Sequence, residues 1–249
     1  VSTDDMAISS SAAPVLHTLA LEYLDGDVAV MRINRPDRMN ALTVEMFEEL
    51  HIVAAMLRAS PARALVITGQ GERVFCAGFD FDMFGSVLGM GMADFLRFTE
   101  MATGGIAAIR ALRFPVIAAI HGGASGGGMS LALAADIRVA SPTAKFNAAF
   151  VKVGLSIGEL GTSWNLLRVV GPGRAAELAY TGRIVAAAEA ERIGLVNKVV
   201  PAESLLEEAL ALAYAMAESR LEQVQRAKRA LSTSVDVGSF HSALELERR

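Results

Sequence analysis

His121-Gly122-Gly123-Ala124-Ser125-Gly126-Gly127-Gly128 lies between two apolar runs, Phe114–Ile120 before it and Met129–Ala134 after it. The first run is short and β-branched, which reads as a buried strand. The second carries helix formers, and the spacing predicts a helix over Gly127–Ala134. Glycines between a strand and a helix let a ligand approach the main chain with no Cβ in the way. The start of the helix adds unpaired N–H groups and the positive end of its dipole. Together they can hold a phosphate or a developing oxyanion. The same glycines also suit a tight turn with close helix–sheet packing, so the segment alone leaves both uses open.

Upstream, Leu19–Leu24 and Val28–Asn34 alternate apolar and polar residues around Asp25-Gly26-Asp27, a hairpin signal. Thr43 can cap a helix to about Ser60, with Met46, Phe47, Leu50, Val53, Ala54 and Leu57 at helical spacing. Ala64–Gly69 reads as a buried strand and Val74–Gly78 as a strand or loop. Phe84–Ala93, rich in Gly and Met, reads as a mobile loop, and Asp94–Leu112 as a helix. Ile137–Ala140 is a further strand. After Gly161 the pattern turns helical, over Ser163–Val170, Gly173–Thr181, Ala187–Ile193, Glu203–Ser219 and Leu221–Ser234. Strands separated by helices imply parallel β-α-β units. The expected division is a flexible leader over residues 1–18, a β/α core over 19–200 and a helical C-terminal part over 201–249.

At 249 residues, 53% hydrophobic and 20% charged, the chain is long and apolar enough for one large α/β domain. The net charge is -4 and no Lys/Arg cluster is dense enough to attract a polyanion, which argues against nucleic acid as a partner. Cys76 is the only cysteine, so an internal disulfide and a cysteine-based metal site are excluded. His17, His51, His121 and His241 show no metal-ligand spacing. No apolar run approaches the roughly 20 residues of a membrane helix. Residues 1–14 lack the order of a signal peptide, so a cytoplasmic protein is expected.

Nucleotide-binding patterns fail on spacing: neither Gly-x-x-x-x-Gly-Lys-Ser/Thr nor Gly-x-Gly-x-x-Gly opens the helix at Gly127. Gly123-Ala124-Ser125-Gly126-Gly127 does match the nucleophile elbow Gly-x-Ser-x-Gly. Its only downstream histidine is His241, in a polar tail, and Ser125 falls several residues after the apparent strand end. A serine hydrolase using Ser125 is a minor alternative.

An ordered set of segments resembles the crotonase (enoyl-CoA hydratase/isomerase) superfamily over about Val28 to Val235. Asn34-Arg35-Pro36 through Asn40-Ala41-Leu42 is similar to the family's Asn-Arg-Pro…Asn-Ala-Leu. Phe75-Cys76-Ala77-Gly78-Phe79-Asp80 is similar to its Phe-x-Ala-Gly-x-Asp. Pro115–Gly122, Gly126-Gly127-Gly128, Ala135–Ala140, Thr181-Gly182 and Ala190–Val196 continue the match in order. The resemblance implies an α/β crotonase fold of repeated β-β-α units, with a helical C-terminal part serving trimerisation, and a homotrimer or dimer of trimers. It implies a coenzyme A thioester substrate, with no metal and no bound redox cofactor. The thioester oxygen would sit between the N–H groups of Phe79 and Gly127, where preorganised donors stabilise enolate-like charge. Arg38, Met39 and Ala41 would lie by the coenzyme A, with Ala77, Asp80, Phe81, Gly126 and Phe150 around the same substrate.

The departures from the family pattern bear on chemistry. Family hydratases carry a glutamate two residues after the triple glycine, where this chain has Ser130. Their second glutamate falls at Phe150 in Phe146-Asn147-Ala148-Ala149-Phe150-Val151. Ser130 could orient a water but is a poor base, and Phe150 can only shape an apolar wall. The remaining candidate acid is Glu159, in Ser156-Ile157-Gly158-Glu159-Leu160-Gly161-Thr162, which resembles the acid that some family isomerases place before a comparable x-Gly-Thr. An acid facing the dipole of the helix that follows is the structural alternative for Glu159. The expected activity is enoyl-CoA hydratase/isomerase, with two alternatives: an isomerase working with Glu159 alone, or a catalytically weak acyl-CoA-binding protein.

Overall fold

In the computed structural model, which describes residues 14–235 and 237–247, the hairpin around Gly26 forms as expected. β1 (Leu19–Leu24) pairs antiparallel with β2 (Val28–Ile33). α1 (Val44–Ala59) starts at Thr43, whose side chain accepts from Met46 N at 3.1 Å. β3 (Ala64–Gly69) and β4 (Val74–Cys76) follow, then α2 (Phe81–Leu88) and α3 (Met92–Arg110). β5 (Val116–Ile120), β6 (Gly123–Ser125) and α4 (Gly127–Ala134) span the glycine-rich segment. β7 (Ile137–Ala140) and β8 (Lys145–Asn147) lead to α5 (Thr162–Val170) and α6 (Pro172–Thr181). β9 (Val185–Ala186), α7 (Ala187–Arg192), β10 (Lys198–Val199), α8 (Leu205–Ala217), α9 (Leu221–Ser234) and α10 (Phe240–Glu247) complete the described chain.

Two sheets result. The larger runs β1-β2-β3-β5-β7-β10 and the smaller β4-β6-β8-β9. β3, β5 and β7 each lie in the larger sheet, and the strand that follows each of them crosses to the smaller sheet before the chain turns helical. This is the repeated β-β-α unit expected from the resemblance.

The larger sheet is buried on both faces, so its central strands read as continuous apolar runs. Alternate side chains go to opposite sides. Met31, Ile67 and Ala118 join the main core under α1, α3 and α4, while Val30, Val66 and Ile117 face α8. The stripe Ala209, Ala213 and Ala217 lets α8 sit close on that face. α8, which lies within the expected C-terminal part, therefore packs on the core as a layer of its own.

Other expectations change as well. Phe84–Ala93 is not a loop: Asp80 caps α2 by accepting from Asp82 N at 3.1 Å, and only residues 89–91 separate α2 from α3. Most of the expected leader, residues 1–13, lies outside the described residues. Its end is tied down, because the buried carboxylate of Glu49 accepts from His17 N (2.6 Å), Thr18 N (3.0 Å), Thr18 Oγ1 (2.6 Å) and Leu19 N (2.8 Å). Asp136 is exposed, and its carboxylate accepts from Val116 N (2.9 Å) and Lys228 Nζ (2.7 Å). Among the described residues no helix is long and apolar enough to cross a membrane, and no cluster of His, Cys, Asp and Glu could hold a metal ion.

Candidate active site

One arm of the site is two loops zipped together. Met39 and Asn40 both hold left-handed backbone, with φ 53° and 51°, which is uncommon for residues with a Cβ. Asn40 is held by its own side chain. Its Oδ1 accepts from Arg35 N at 3.0 Å, and its Nδ2 donates to Gln70 O (3.0 Å) and Val74 O (2.9 Å). The loop then captures the chain after β4. Ala77 N donates to Met39 O (3.1 Å), Leu42 N to Gly78 O (2.7 Å) and Asp80 N to Leu42 O (2.9 Å). Phe79 N–H stands between these bonds with no backbone acceptor among the described residues.

The other arm is the start of α4. Gly126 takes φ 49° and ψ -117°, which only glycine adopts readily, and its N–H donates to Asn147 O at 3.0 Å. Gly127 follows as the first helical residue, so its N–H has no intrahelical acceptor. Gly128 packs on β4 so closely that an added Cβ would fall 2.3 Å from Cys76 O. The two arms touch: a Cβ built on Gly78 would meet Ser125 O at 2.8 Å and Gly127 N at 3.8 Å. Two unspent N–H donors thus lie side by side, one of them at the positive end of a helix.

Asp80 braces the first arm. Its buried carboxylate accepts from Arg35 Nη1 (2.9 Å) and Arg38 Nη2 (3.1 Å), and Arg38 also pairs with Asp82. Burial alone would raise its pKa, but hydrogen bonds from Arg35, Asp82 N–H and Arg38 outweigh this and hold it below the usual carboxylate value. Cys76, beneath the arm, is buried, and burial pushes its thiol up to about 12. It packs as a small buried hydrophobe.

Beside both donors lies an apolar cavity of about 80 Å³, lined by Phe79, Gly127, Phe150, Glu159 and side chains of α1, α2 and α3. The Phe79 ring stacks on Phe47 (centroids 6.4 Å apart) and meets Phe98 at 5.8 Å and Phe84 at 6.3 Å. Glu159 is the one ionisable side chain among the lining residues. It is half-buried, on a turn in which Leu160 and Gly161 both hold left-handed backbone (φ 56° and 72°). Thr162 N donates to Glu159 O at 3.0 Å as α5 begins.

The other sequence-predicted residues fall as follows. Ser130 is fully buried in α4 and does not line the cavity. Its Oγ lies 3.2 Å from Gly126 O and 2.5 Å from Thr162 Oγ1, so its hydroxyl is engaged inside the protein. Phe150 is buried and is among the residues that line the cavity. Arg38 is braced by the acids just described. Met39, Ala41 and Ala77 belong to the zipped loops, Gly126 to the turn before α4, and Phe81 is 71% exposed at the start of α2. Ser125 ends β6, and among the described residues no hydrogen bond joins its hydroxyl to a histidine. His51 Nε2 is spent on Met101 O at 2.9 Å, and His121 Nε2 is buried with no hydrogen-bond partner among the described residues. The sequence reading missed Phe47, Phe95, Phe98, Thr99 and Ala102 as cavity lining. Phe95, Phe98 and Ala102 do stand at i, i+3 and i+7 on one face of α3, a signal that was available. Trp164 is half-buried beneath Arg168 (3.7 Å) and Arg110 (4.7 Å), away from the cavity lining.

Comparison with known proteins places the chain in a family. The profile of the enoyl-CoA hydratase/isomerase family matches residues 24–249. A probable enoyl-CoA hydratase of Mycobacterium tuberculosis is 40% identical over 232 residues, covering 91% of this chain and 81% of that protein. The enoyl-CoA hydratase of Bacillus anthracis superposes with a TM-score of 0.87 at 33% identity, over 93% of this chain and 88% of that one. A monofunctional enoyl-CoA isomerase from M. smegmatis gives 0.77 at 36% identity, over 91% and 98%.

Proposed function

From the premise that the chain belongs to the enoyl-CoA hydratase/isomerase family, we propose that this enzyme moves the double bond of an enoyl-CoA thioester with one carboxylate, Glu159. The carrying observation is that Glu159 is the one ionisable group lining the cavity that Phe79 and Gly127 also line. In this reading the thioester oxygen accepts from Phe79 N–H and Gly127 N–H, and Arg38, Met39, Ala41 and Ala77 border the coenzyme A. Glu159 takes a proton from carbon 2 of a 3-enoyl thioester. The charge spreads onto the thioester oxygen, where the two N–H donors stabilise it. The same carboxyl returns the proton at carbon 4, leaving the 2-enoyl thioester and a carboxylate ready for another turnover. One acid suffices because the proton returns to the substrate. Hydration needs a water to be held and activated as well, and the two positions that serve this in family hydratases are Ser130 and Phe150. No metal or redox cofactor enters this scheme.

Hydration by Glu159 alone is the second reading, favoured by the names of the relatives at 33–40% identity. One experiment addresses both. Wild type and Glu159→Gln are given 3-hexenoyl-CoA and, separately, crotonyl-CoA, and products are followed by absorbance and mass. The expected outcome is isomerisation well above hydration in the wild type, with both lost in Glu159→Gln while thioester affinity, measured by calorimetry, stays nearly unchanged. Hydration near the diffusional range, or wild-type turnover by Glu159→Gln, refutes the reading. A homotrimer or dimer of trimers is also proposed. It is supported by α9, which has no buried residue; Leu231 on it is 71% exposed and Val235, just past its end, 52% exposed.

A further inference from the structure

We infer that Ser130 and Thr162 form a hydroxyl latch that orients both halves of the site, so that the position where a family hydratase carries the glutamate after its triple glycine here supports Glu159. The inference rests on the thioester site proposed above. Both side chains are fully buried, on α4 and α5, and neither lines the cavity. Each hydroxyl has one proton to give. If Ser130 Oγ–H is given to Gly126 O at 3.2 Å, the 2.5 Å contact with Thr162 is filled by the Thr162 proton. The chain of donors then runs Thr162 Oγ1–H to Ser130 Oγ–H to Gly126 O.

That carbonyl belongs to the same planar peptide unit as Gly127 N–H. It also accepts from Ser130 N at 3.0 Å. Donors on the oxygen of an amide polarise it and strengthen its N–H as a donor in turn. The far end of the chain grips Glu159, because Thr162 N–H donates to Glu159 O at 3.0 Å. Between them Leu160 sits in left-handed backbone, which persists only where the surroundings over-determine it. Leu160 Cδ1 lies 3.2 Å from where a Cβ on Gly127 would be, so the turn is packed against the donor it serves. Thr162 thus holds the turn of the proton carrier with its amide and the oxyanion peptide with its hydroxyl. Both are positioning residues, since neither touches the substrate.

The test uses Thr162→Val, which keeps the shape and deletes the hydroxyl, and Thr162→Ser, which keeps the hydroxyl. Ser130 Oγ can still donate to Gly126 O in the valine variant, so no buried hydroxyl is orphaned. Three quantities are measured: turnover of 3-hexenoyl-CoA, calorimetric affinity for butyryl-CoA, and the carbonyl stretch of bound butyryl-CoA labelled with ¹³C at the thioester. Thr162→Val is expected to lower kcat about ten- to a hundredfold, as a misplaced reacting group does. Affinity stays nearly unchanged and the downshift of the bound carbonyl shrinks, and Thr162→Ser restores both. Wild-type kcat together with a wild-type carbonyl shift in Thr162→Val overturns the latch. So does an equal loss in Thr162→Ser, which would show that packing and not the hydroxyl matters. A wild type that polarises the thioester through Thr162 but does not isomerise it would refute the proposed reaction and leave the latch standing.

Discussion

Adding one methyl group to the triple glycine should separate packing from chemistry. In Gly128→Ala the new Cβ would lie 2.3 Å from Cys76 O, 2.8 Å from Cys76 Cβ and 2.9 Å from Cys76 Sγ. Non-bonded heavy atoms settle at roughly 3.5–4.0 Å, so α4 must retreat from β4 by about 1 Å. The obstacle is main chain in the floor of the site, which cannot swing aside as a leucine tip can. Overpacking of this kind costs about 1–3 kcal/mol, and for a chain of this size each kcal/mol lowers Tm by roughly 2–4 °C. The same retreat carries Gly127 N–H away from Phe79 N–H, and a displacement near 1 Å at a reacting centre can cost about a hundredfold in rate. Gly173→Ala is the control, because a Cβ there meets nothing within 4 Å; helix propensity alone predicts a gain of up to about 1 kcal/mol. Differential scanning calorimetry and 3-hexenoyl-CoA turnover on both variants decide the matter. Wild-type melting and turnover in Gly128→Ala would refute the close packing of α4 on β4 and the rigid-floor argument built on it.

Two further outcomes are expected. Asp80 is held below its unfolded pKa, so its network adds stability above about pH 4 and loses it as pH falls through the depressed folded value; melting temperatures from pH 7 to 3 should therefore drop more steeply in wild type than in Asp80→Asn, and parallel curves would contradict this. Leu231, 71% exposed on α9, should be covered in the assembly, so light scattering should give a mass of three or six chains for wild type and less for Leu231→Glu, whereas a single-chain mass for wild type excludes the trimer.

The elements legible in the sequence are those whose own residues carry a period and a boundary signal. α1 begins at its Thr43 cap, and α4 and β7 match the expected ranges residue for residue. β6, β8, β9 and β10 span two or three residues, too few for alternation to show. Their partners are remote: Ala124 of β6 pairs with Cys76 and Phe146, so Gly123-Ala124-Ser125 looks like a turn until the smaller sheet is assembled. α2 was hidden by the density of Gly85, Gly89 and Gly91, although Asp80 was there to cap it. Phe79, Gly127 and Glu159, singled out through motif resemblance, all line one cavity, whereas the Ser130–Thr162 contact joins hydroxyls 32 positions apart. Neither that pairing nor the capture of residues 17–19 by Glu49 leaves a local pattern, since both exist only once helices and strands have docked.

The smaller sheet has a consequence for how this protein can diverge. Both N–H donors are anchored to it, Phe79 just past β4 and Gly127 just past β6, and β4 and β6 are hydrogen-bonded neighbours. Most of the aromatic wall of the cavity, in contrast, is carried by helices: Phe47 by α1, Phe84 by α2, Phe95 and Phe98 by α3. Helices slide and repack as units, while a strand register changes only in whole-residue steps. On the proposed reading, descendants of this sequence can therefore explore new acyl shapes by changing side chains on one set of elements while inheriting an unaltered pair of N–H donors on another, so that specificity drifts without the donors being lost on the way.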